Sequence, residues 1–282
     1  MAVDKLVDSA QLDTDLTAVA DAIRTKGGTS ESLAFPNGFV DAIDAIETGG
    51  GGDLDALIDR SITSIENDTV TVIGRSAFAY CKSLVSASFP NVTTINSDSF
   101  ADCTALKNVY LPRAYTLAGF IRSGIEEINR TNFARAVRCS SSAFYQCTSL
   151  RIAVFGHETP YEPSKNSAVF DGSVFINCSN LEVFDSYISM SRGGDFVNCS
   201  KLSTIILRRS GRLFALGATS WFQRTPFASD GAGGTVYVPQ ALLSDYQNAT
   251  NWSTILSYEN NKILPIEGSQ YENYYADGTP VT

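Results

Sequence analysis

The sequence predicts a mainly β repeat solenoid with a small α-helical segment in front of it and a short helical cap behind it. Three observations support this fold class. A Phe-x-x-Cys-x-x-Leu pattern recurs five times, stretches of alternating apolar and polar residues follow its copies, and both ends of the 282-residue chain show helical periodicity. A unit of this size cannot enclose a core alone, so we expect the units to stack around one continuous core.

The five copies of the pattern are separated by Phe-to-Phe spacings of 22, 44, 31 and 21 residues. The interval of 44 corresponds to two units, and a degenerate copy around Phe120 to Ile125 lies in its middle. The interval of 31 fits one unit plus a polar loop, expected within His157–Ser167. The copies are Phe78, Cys81, Leu84; Phe100, Cys103, Leu106; Phe144, Cys147, Leu150; Phe175, Cys178, Leu181; and Phe196, Cys199, Leu202.

A short strand is expected after each Leu of the pattern. Apolar residues at the third and fifth positions after the Leu alternate with other residues, which is the period of a β-strand. In the first copy this alternation places Ala87 and Phe89 inward and Ser86 and Ser88 outward. Each unit is therefore a short strand, a turn, a second inward stretch and a corner that carries the Phe.

The repeated pattern resembles the BspA-like leucine-rich repeats of bacterial surface proteins and of some bacteriophage tail proteins. The resemblance covers roughly residues 61–239, although the third to fifth copies lack the proline that usually follows the strand in this family. We expect this departure to give irregular coils in the middle of the solenoid rather than a different fold. The resemblance implies a non-enzymatic protein that works by binding.

Residues 1–48 predict a helical attachment segment. Apolar residues recur at helical spacing from Leu12 to Ile23, Gly27 and Gly28 end that helix, and a second short helix is expected over 36–47. This stretch is similar to the N-terminal segment of phage-encoded tail or baseplate-associated proteins of Gram-positive hosts. Residues 49–60, a glycine-rich linker and one short helix, are expected to join it to the solenoid at 61–239.

Residues 240–282 are expected to form a C-terminal cap and tail. The stretch from Pro239 to Leu256 predicts two short helices, the second capped by Thr250 or Asn251. Such a cap would cover the strand edges and core that the open end of a solenoid exposes. The tyrosines of residues 268–282 show no periodicity, so this segment is either a flexible tail or a strand that becomes ordered against a partner.

Charge and hydropathy argue against two classes of partner. The formal net charge of −9 divides into −8 over residues 1–60, +3 over 61–239 and −4 over 240–282. Without a basic stripe to contact phosphates, we do not expect nucleic-acid binding. The sequence contains no run of eighteen apolar residues, so we do not expect a membrane-spanning helix. The first fifteen residues lack the features of a secretory signal.

Five of the six cysteines occupy one repeat position, so stacking should align them as buried thiols rather than pair them in disulfides. Cys139 lies outside this register and is expected in the core or at an edge. The sequence contains no Cys-x-x-Cys pair, so we do not predict a zinc site. His157, the one histidine, lies in a polar loop without a nucleophile motif. We therefore predict no catalytic, metal-binding or cofactor-binding residue.

Two further clusters allow more than one interpretation. The basic cluster of Arg208, Arg209 and Arg212 is either a solvated edge or a receiver of acidic groups. The aromatic cluster Trp221, Phe222 and Phe227 is expected in the core, with end-cap packing or an exposed patch as the alternatives.

The outward positions of the stacked strands make a candidate binding face. Stacked, variable side chains form extended binding surfaces in solenoids. The apolar members need cover, so we expect a partner or another subunit to pack against them. The candidate residues are Ser86, Ser88, Asn108, Tyr110, Ile152, Val154, Val183, Asp185, Thr204, Ile206, Arg208 and Tyr237.

Together the resemblances imply a bacteriophage virion protein, a tail fibre or baseplate-associated component. Residues 1–48 would contact other virion proteins, and the solenoid would bind a host cell-surface glycan or protein. The likeness to tail fibres implies a homo-oligomer, with a trimer expected. The alternatives are a bacterial cell-surface adhesin or interaction module of the same type, and a glycan-degrading enzyme for which no carboxylate pair stands out.

Overall fold

The computed structural model describes residues 60–155, 169–190 and 195–281. The two helices predicted within residues 1–48 and the loop predicted at His157–Ser167 lie outside these residues. The linker and short helix predicted at residues 49–60 lie outside them too, except for Arg60. The predicted attachment role of residues 1–48 therefore stays a prediction.

The described chain forms short strands, two short α-helices and two 3-10 turns. The strands are β1 (Ser64–Glu66), β2 (Val72–Ile73), β3 (Ser86–Ser88), β4 (Thr94–Ile95), β5 (Asn108–Tyr110), β6 (Thr116–Leu117), β7 (Glu127–Ile128), β8 (Arg138–Cys139), β9 (Ile152–Phe155), β10 (Val169–Phe170), β11 (Val183–Ser186), β12 (Ser189–Met190), β13 (Thr204–Leu207), β14 (Thr235–Val238) and β15 (Lys262–Pro265). The 3-10 turns are Thr219–Phe222 and Gln240–Leu242, and the helices are α1 (Leu243–Asn248) and α2 (Trp252–Leu256).

These strands form three sheets in which every pairing is parallel. The front strands lie in the orders β1-β3-β5 and β7-β9-β11-β13-β14-β15, and the back strands in the order β12-β10-β8-β6-β4-β2. Up to β12, front and back strands alternate along the chain, so each coil adds one strand to each side. This arrangement confirms the predicted repeat solenoid.

The pattern phenylalanines form a ladder through the core. Neighbouring rings stack with centroids 5.2 to 5.8 Å apart and interplanar angles of 4° to 15°. The ladder includes Phe120, which confirms the degenerate copy, and ends at Phe222, which belongs to a seventh coil that the pattern did not predict. Its members are Phe78, Phe100, Phe120, Phe144, Phe175, Phe196 and Phe222.

The corner after each ladder Phe has one backbone geometry. The second residue after the Phe has φ between +54° and +64° in all seven coils, from Tyr80 to Arg224. A left-handed conformation is unfavourable for a residue other than glycine. In six of the seven coils the strained residue donates its N–H to a carbonyl of the next coil; for example, Tyr80 donates to Ala101 O at 2.7 Å and Asp102 to Ile121 O at 2.9 Å. These bonds between coils help to offset the strain.

The stack continues beyond the predicted boundary at residue 239. The β14 strand pairs in parallel with β15, which the sequence did not predict. Between them, α1 and α2 confirm the predicted helical cap in two pieces. The cap buries Tyr246 and Trp252, and the Trp252 indole N–H donates to Phe214 O at 2.6 Å. Asn251 precedes α2 but does not cap it, because its side-chain amide donates to Leu216 O instead.

Candidate binding face

Parallel pairing aligns the predicted outward residues in rows across the front strands. Ser86 pairs with Asn108 and Ser88 with Tyr110. In the second section, Ile152, Val183 and Thr204 form one row. The next row contains Val154, Asp185, Ile206 and Tyr237. The predicted register along these strands is therefore correct.

The front face is open over the first coils. The burial of β5 alternates strictly, with Asn108 and Tyr110 exposed and Val109 buried. Tyr110 is 40% exposed, and Ser86 and Ser88 beside it are partly exposed. At the edge of this section Lys107 forms an ion pair with Glu126 at 2.8 Å. We call Ser86, Ser88, Asn108 and Tyr110 the open section.

The front face is covered over the later coils, contrary to the expected exposed surface. Val154, Asp185, Ile206 and Arg208 are buried. Their strands β9, β11 and β13 are buried at three successive positions, so these strands are covered on both sides. Ile152, Val183, Thr204 and Tyr237 remain partly exposed.

The cover is the end of the chain itself, residues 269–281, which we call the strap. Arg208 Nη1 donates to Tyr271 O and Nη2 to Tyr274 O, both at 2.9 Å. Asp185 Oδ2 accepts the backbone N–H of Ala276 at 2.9 Å. The last residues are therefore neither a flexible tail nor a strand that awaits a partner. The predicted cover of the apolar outward residues exists, but this chain supplies it.

A buried ion pair lies beneath the strap. Arg208 Nε and Nη2 bind Asp185 Oδ1 and Oδ2 at 2.5 and 2.8 Å, a bidentate arrangement with both side chains almost inaccessible. Burial raises the pKa of the Asp185 carboxyl above its ordinary value, while the Arg208 guanidinium acts in the opposite direction. Arg208 is thus held inside the protein and does not belong to an exposed basic cluster.

The Tyr275 ring fills the space beside this pair and is 3% exposed. The guanidinium carbon of Arg130 lies 4.1 Å from its centroid, and that of Arg208 lies 4.5 Å away. Such cation–π contacts strengthen when they are shielded from water. Asp277 Oδ2 also accepts the Arg130 backbone N–H at 2.8 Å. No sequence pattern singled out Arg130 or Asp277, and the run of tyrosines was the one signal for Tyr275.

The cysteines follow the predicted arrangement of free, buried thiols. Four of them donate to the carbonyl of the ladder Phe in the preceding coil, such as Cys103 to Phe78 O at 2.9 Å. Burial raises the pKa of Cys103 and Cys147 to about 12. Cys139 is also buried, in β8, and burial raises its pKa as well. These thiols are packing groups.

Other candidates for chemistry are few. Over 60–155, 169–190 and 195–281, no group of His, Cys, Asp and Glu is arranged to hold a metal ion. In the same three ranges we find no helix with the length and apolarity that crossing a bilayer requires. An open polar cleft of about 540 Å³ lies near the cap, between Asn198, Arg224, Asp230 and Tyr258. Trp221, Phe222 and Phe227 are core residues, as predicted.

Comparison with known proteins agrees with the observed coils. Residues 57–182 match the family of BspA type leucine-rich repeat regions, in six copies. No curated protein matches the chain significantly. A crystal structure of a leucine-rich repeat protein from Bacteroides ovatus is similar at 20% identity and a TM-score of 0.31. The match covers 73% of this chain but 66% of that one, so this chain spans less than two thirds of that protein.

The structural repeat extends further than the family match. The ladder of stacked phenylalanines continues to Phe222 and the parallel front strands to Pro265, both beyond residue 182. The first coils, which carry the open section, lie inside the matched region. The match to BspA-type leucine-rich repeats thus spans residues 57–182, within a parallel-stranded solenoid that continues to the C-terminal cap.

Proposed function

We propose that this chain is a non-enzymatic interaction protein that binds a partner through the open section of its front face. The observation that carries the proposal is the exposure of Tyr110 and Asn108 on neighbouring rows of a three-stranded parallel sheet. A tyrosine presents a large apolar ring and a hydroxyl at a small cost in conformational entropy, which suits a binding surface.

The chemistry of the open section favours a polar partner. Ser86, Ser88 and Asn108 supply hydroxyl and amide groups, and Val85, 43% exposed, adds an apolar edge. Serine hydroxyls and the asparagine amide can both donate and accept hydrogen bonds. With the Tyr110 ring for stacking, this set fits a cell-surface glycan or a polar protein loop.

The setting that we propose is a bacteriophage tail. The support is the resemblance of residues 1–48 to tail and baseplate-associated proteins and of the repeats to those of some tail proteins. In this setting residues 1–48 attach to other virion proteins, the open section contacts the host surface, and the chain assembles as a homotrimer. Mass spectrometry of purified particles tests the setting, and absence of the chain from them would exclude it.

A second candidate setting is the bacterial cell surface, as an adhesin or interaction module. The match of residues 57–182 to BspA-type repeats favours it at least as much as the phage setting. Fractionation of the producing cells separates the two, because an adhesin is expected in the envelope fraction and a tail component in assembled particles.

Substitution of Tyr110 by Ala tests the binding surface in either setting. Fluorescently labelled full-length chain is mixed with Gram-positive cells, with and without prior protease treatment, and bound fluorescence is measured. We expect Tyr110→Ala to lower the affinity by about 1 to 3 kcal/mol, as for an aromatic residue in an interface. Retained binding to protease-treated cells would indicate a glycan receptor.

The matched control is Tyr115→Ala. Tyr115 is 45% exposed but lies beside β6 in the back sheet. We expect this variant to bind as the original chain does. Equal loss of binding in both variants, or in neither, would argue against the open section as the contact surface.

A further inference from the structure

The strap contacts the covered front face in the way that a bound peptide contacts a groove. Its internal structure is a small hairpin: Tyr274 bridges Pro280 in antiparallel fashion, and Tyr275 N donates to Thr279 O at 2.8 Å. Asp277 Oδ1 accepts the N–H and the hydroxyl of Thr279, and Gly278 has φ of +81°. The strap therefore presents a preformed turn, not a further strand of the sheet.

The groove recognises the main chain of this turn through one buried pair. Arg208 donates to two strap carbonyls, and Asp185 accepts one strap N–H. Because all three strap atoms belong to the backbone, these contacts require a particular turn geometry but no particular side chain. The bidentate bond between Arg208 and Asp185 holds both groups in position.

Side-chain recognition depends mainly on one residue of the turn. Tyr275 is buried between the guanidiniums of Arg130 and Arg208, and its ring packs edge-on against Tyr187 at 6.2 Å. By contrast, the neighbouring Tyr274 is 54% exposed. The strap adds one further ring contact, from the partly exposed Tyr271 to Tyr237, with centroids 4.9 Å apart. One buried and one partly exposed aromatic ring are a small attachment, which a competing segment can replace.

We propose that the outer face of β9, β11 and β13 is a peptide-binding groove that the strap occupies in cis. The partner that it fits is a turn-forming peptide with a Tyr followed two residues later by an Asp, because Tyr275 and Asp277 make the specific contacts. Displacement of the strap uncovers the Val154 and Ile206 row for that partner. This surface differs from the open section, and the inference does not depend on the proposed receptor.

The cis strap weakens binding of any such peptide. A tethered segment acts at an effective concentration of about 1 mM for a short linker, so a free peptide at micromolar concentration competes poorly. A variant that loosens the strap without altering the groove should bind the peptide more tightly. Tyr275→Ala is that variant, since it removes only the anchor of the strap.

The probe is a fluorescein-labelled peptide of the sequence 269–281, titrated with full-length chains in an anisotropy assay. We expect the Tyr275→Ala chain to bind this peptide at least tenfold more tightly than the original chain. A Tyr274→Ala chain, the matched control, should bind it as weakly as the original. A peptide that carries Tyr275→Ala should not bind either chain. A folded Tyr275→Ala chain that does not bind the peptide would overturn the proposal.

Hydrogen exchange on the original chain gives an independent test that does not depend on the stability of any variant. If the strap opens by itself, the amides of residues 271–276 exchange much faster than those of β13 and β14. Exchange of the strap only at the rate of global unfolding would show that it is a permanent part of the core and would overturn the proposal. Peptide-induced acceleration of exchange in the strap would support displacement.

Discussion

Side chains at the cysteine position of the pattern make one recurring hydrogen bond in four of the seven coils. In these coils the cysteine thiol donates to the carbonyl of the ladder Phe in the preceding coil, whereas the two coils with another residue at this position bond differently. In the degenerate third coil Ser123 takes the position and its hydroxyl lies 3.5 Å from Cys147 Sγ. In the seventh coil Thr225 Oγ1 donates to Phe222 O at 2.8 Å. The sequence pattern therefore identified a buried position that accepts a small side chain, and cysteine is not required there, since Ser123 and Thr225 are buried at it as well.

One buried carboxyl is not fully satisfied. Among the described residues, Asp195 Oδ2 is the buried side-chain oxygen without a hydrogen-bond partner, while its backbone neighbour Val174 donates to Oδ1 at 3.1 Å. Burial raises the pKa of Asp195 to about 6. The folded chain keeps this proton to higher pH than the unfolded chain does. Protonated Asp195 therefore contributes fully to the free energy of unfolding below about pH 4. This contribution is lost as pH rises through about 6.

Asp195→Asn should remove this pH dependence while it preserves the bond from Val174. The pKa of Asp195 rises from 3.8 to about 6, so at 1.36 kcal/mol per pKa unit we expect the variant to be about 3 kcal/mol more stable than the original chain at pH 8 and equal to it near pH 4. Urea unfolding from pH 4 to pH 8 measures the difference. The exposed control Asp230→Asn should run parallel to the original chain, and a constant offset for Asp195→Asn would refute the assignment.

At the level of elements, the degenerate third coil packs with its backbone close to that of the second coil. The pattern is one residue shorter there, and Gly124 replaces a larger residue. A Cβ on Gly124 would lie 2.2 Å from Thr104 O, closer than any tolerated contact. The shortened corner therefore fits because glycine lets the two coils approach, and the Gly124 N–H donates to Cys103 O at 3.0 Å.

Gly124→Ala should destabilise the chain through this steric conflict. We expect a loss of about 1 to 3 kcal/mol in the free energy of unfolding, the usual cost of overpacking. Gly74→Ala is the control, because no atom lies within 4 Å of the added Cβ there. Thermal and urea unfolding of both variants measures the effect, and equal stability of the two would contradict the contact.

The elements differ in how far the sequence could predict them. The five pattern copies and the alternation after each Leu predicted the front strands β3, β5, β9, β11 and β13 and their register. The seventh coil was missed because Phe222 is followed by Thr225 in place of cysteine and no Leu completes the pattern. The β15 strand was missed because it follows two helices, where the repeat period gives no guide. A repeated sequence pattern predicts which neighbouring strands pair. A degenerate copy can lack the pattern residues and still pack in the stack, as Phe222 does.

At the level of the whole molecule, the front face is divided into an open and a covered section. The alternation along the strands predicted apolar outward residues that require cover, which we expected a partner or another subunit to supply. The actual contacts join Arg208 to Tyr271 and Tyr274, 63 and 66 residues later, and Asp185 to Ala276, 91 residues later. No periodicity links such distant segments. The sequence could therefore predict that these residues are covered, but not which segment covers them.

The division has a consequence for where a partner binds. A solenoid with a uniformly exposed front face would offer its whole length, whereas here the first coils offer the larger free surface. Tyr110 and Ile206 make the contrast clear, since they occupy equivalent strand positions, one 40% exposed and the other fully buried. The open section is thus the more exposed part of the front face, and the strap covers the later strands.

Thiol reactivity measures this division most directly. The six native cysteines are buried, and burial raises the pKa of Cys103 and Cys147 to about 12, so the original chain should be almost inert to a maleimide reagent. In this unreactive background, Tyr110→Cys should react at the rate of an exposed thiol, and Ile206→Cys should react far more slowly, at a rate limited by opening of the strap. Equally fast labelling of Ile206→Cys, in a chain that still unfolds cooperatively, would contradict a covered front face.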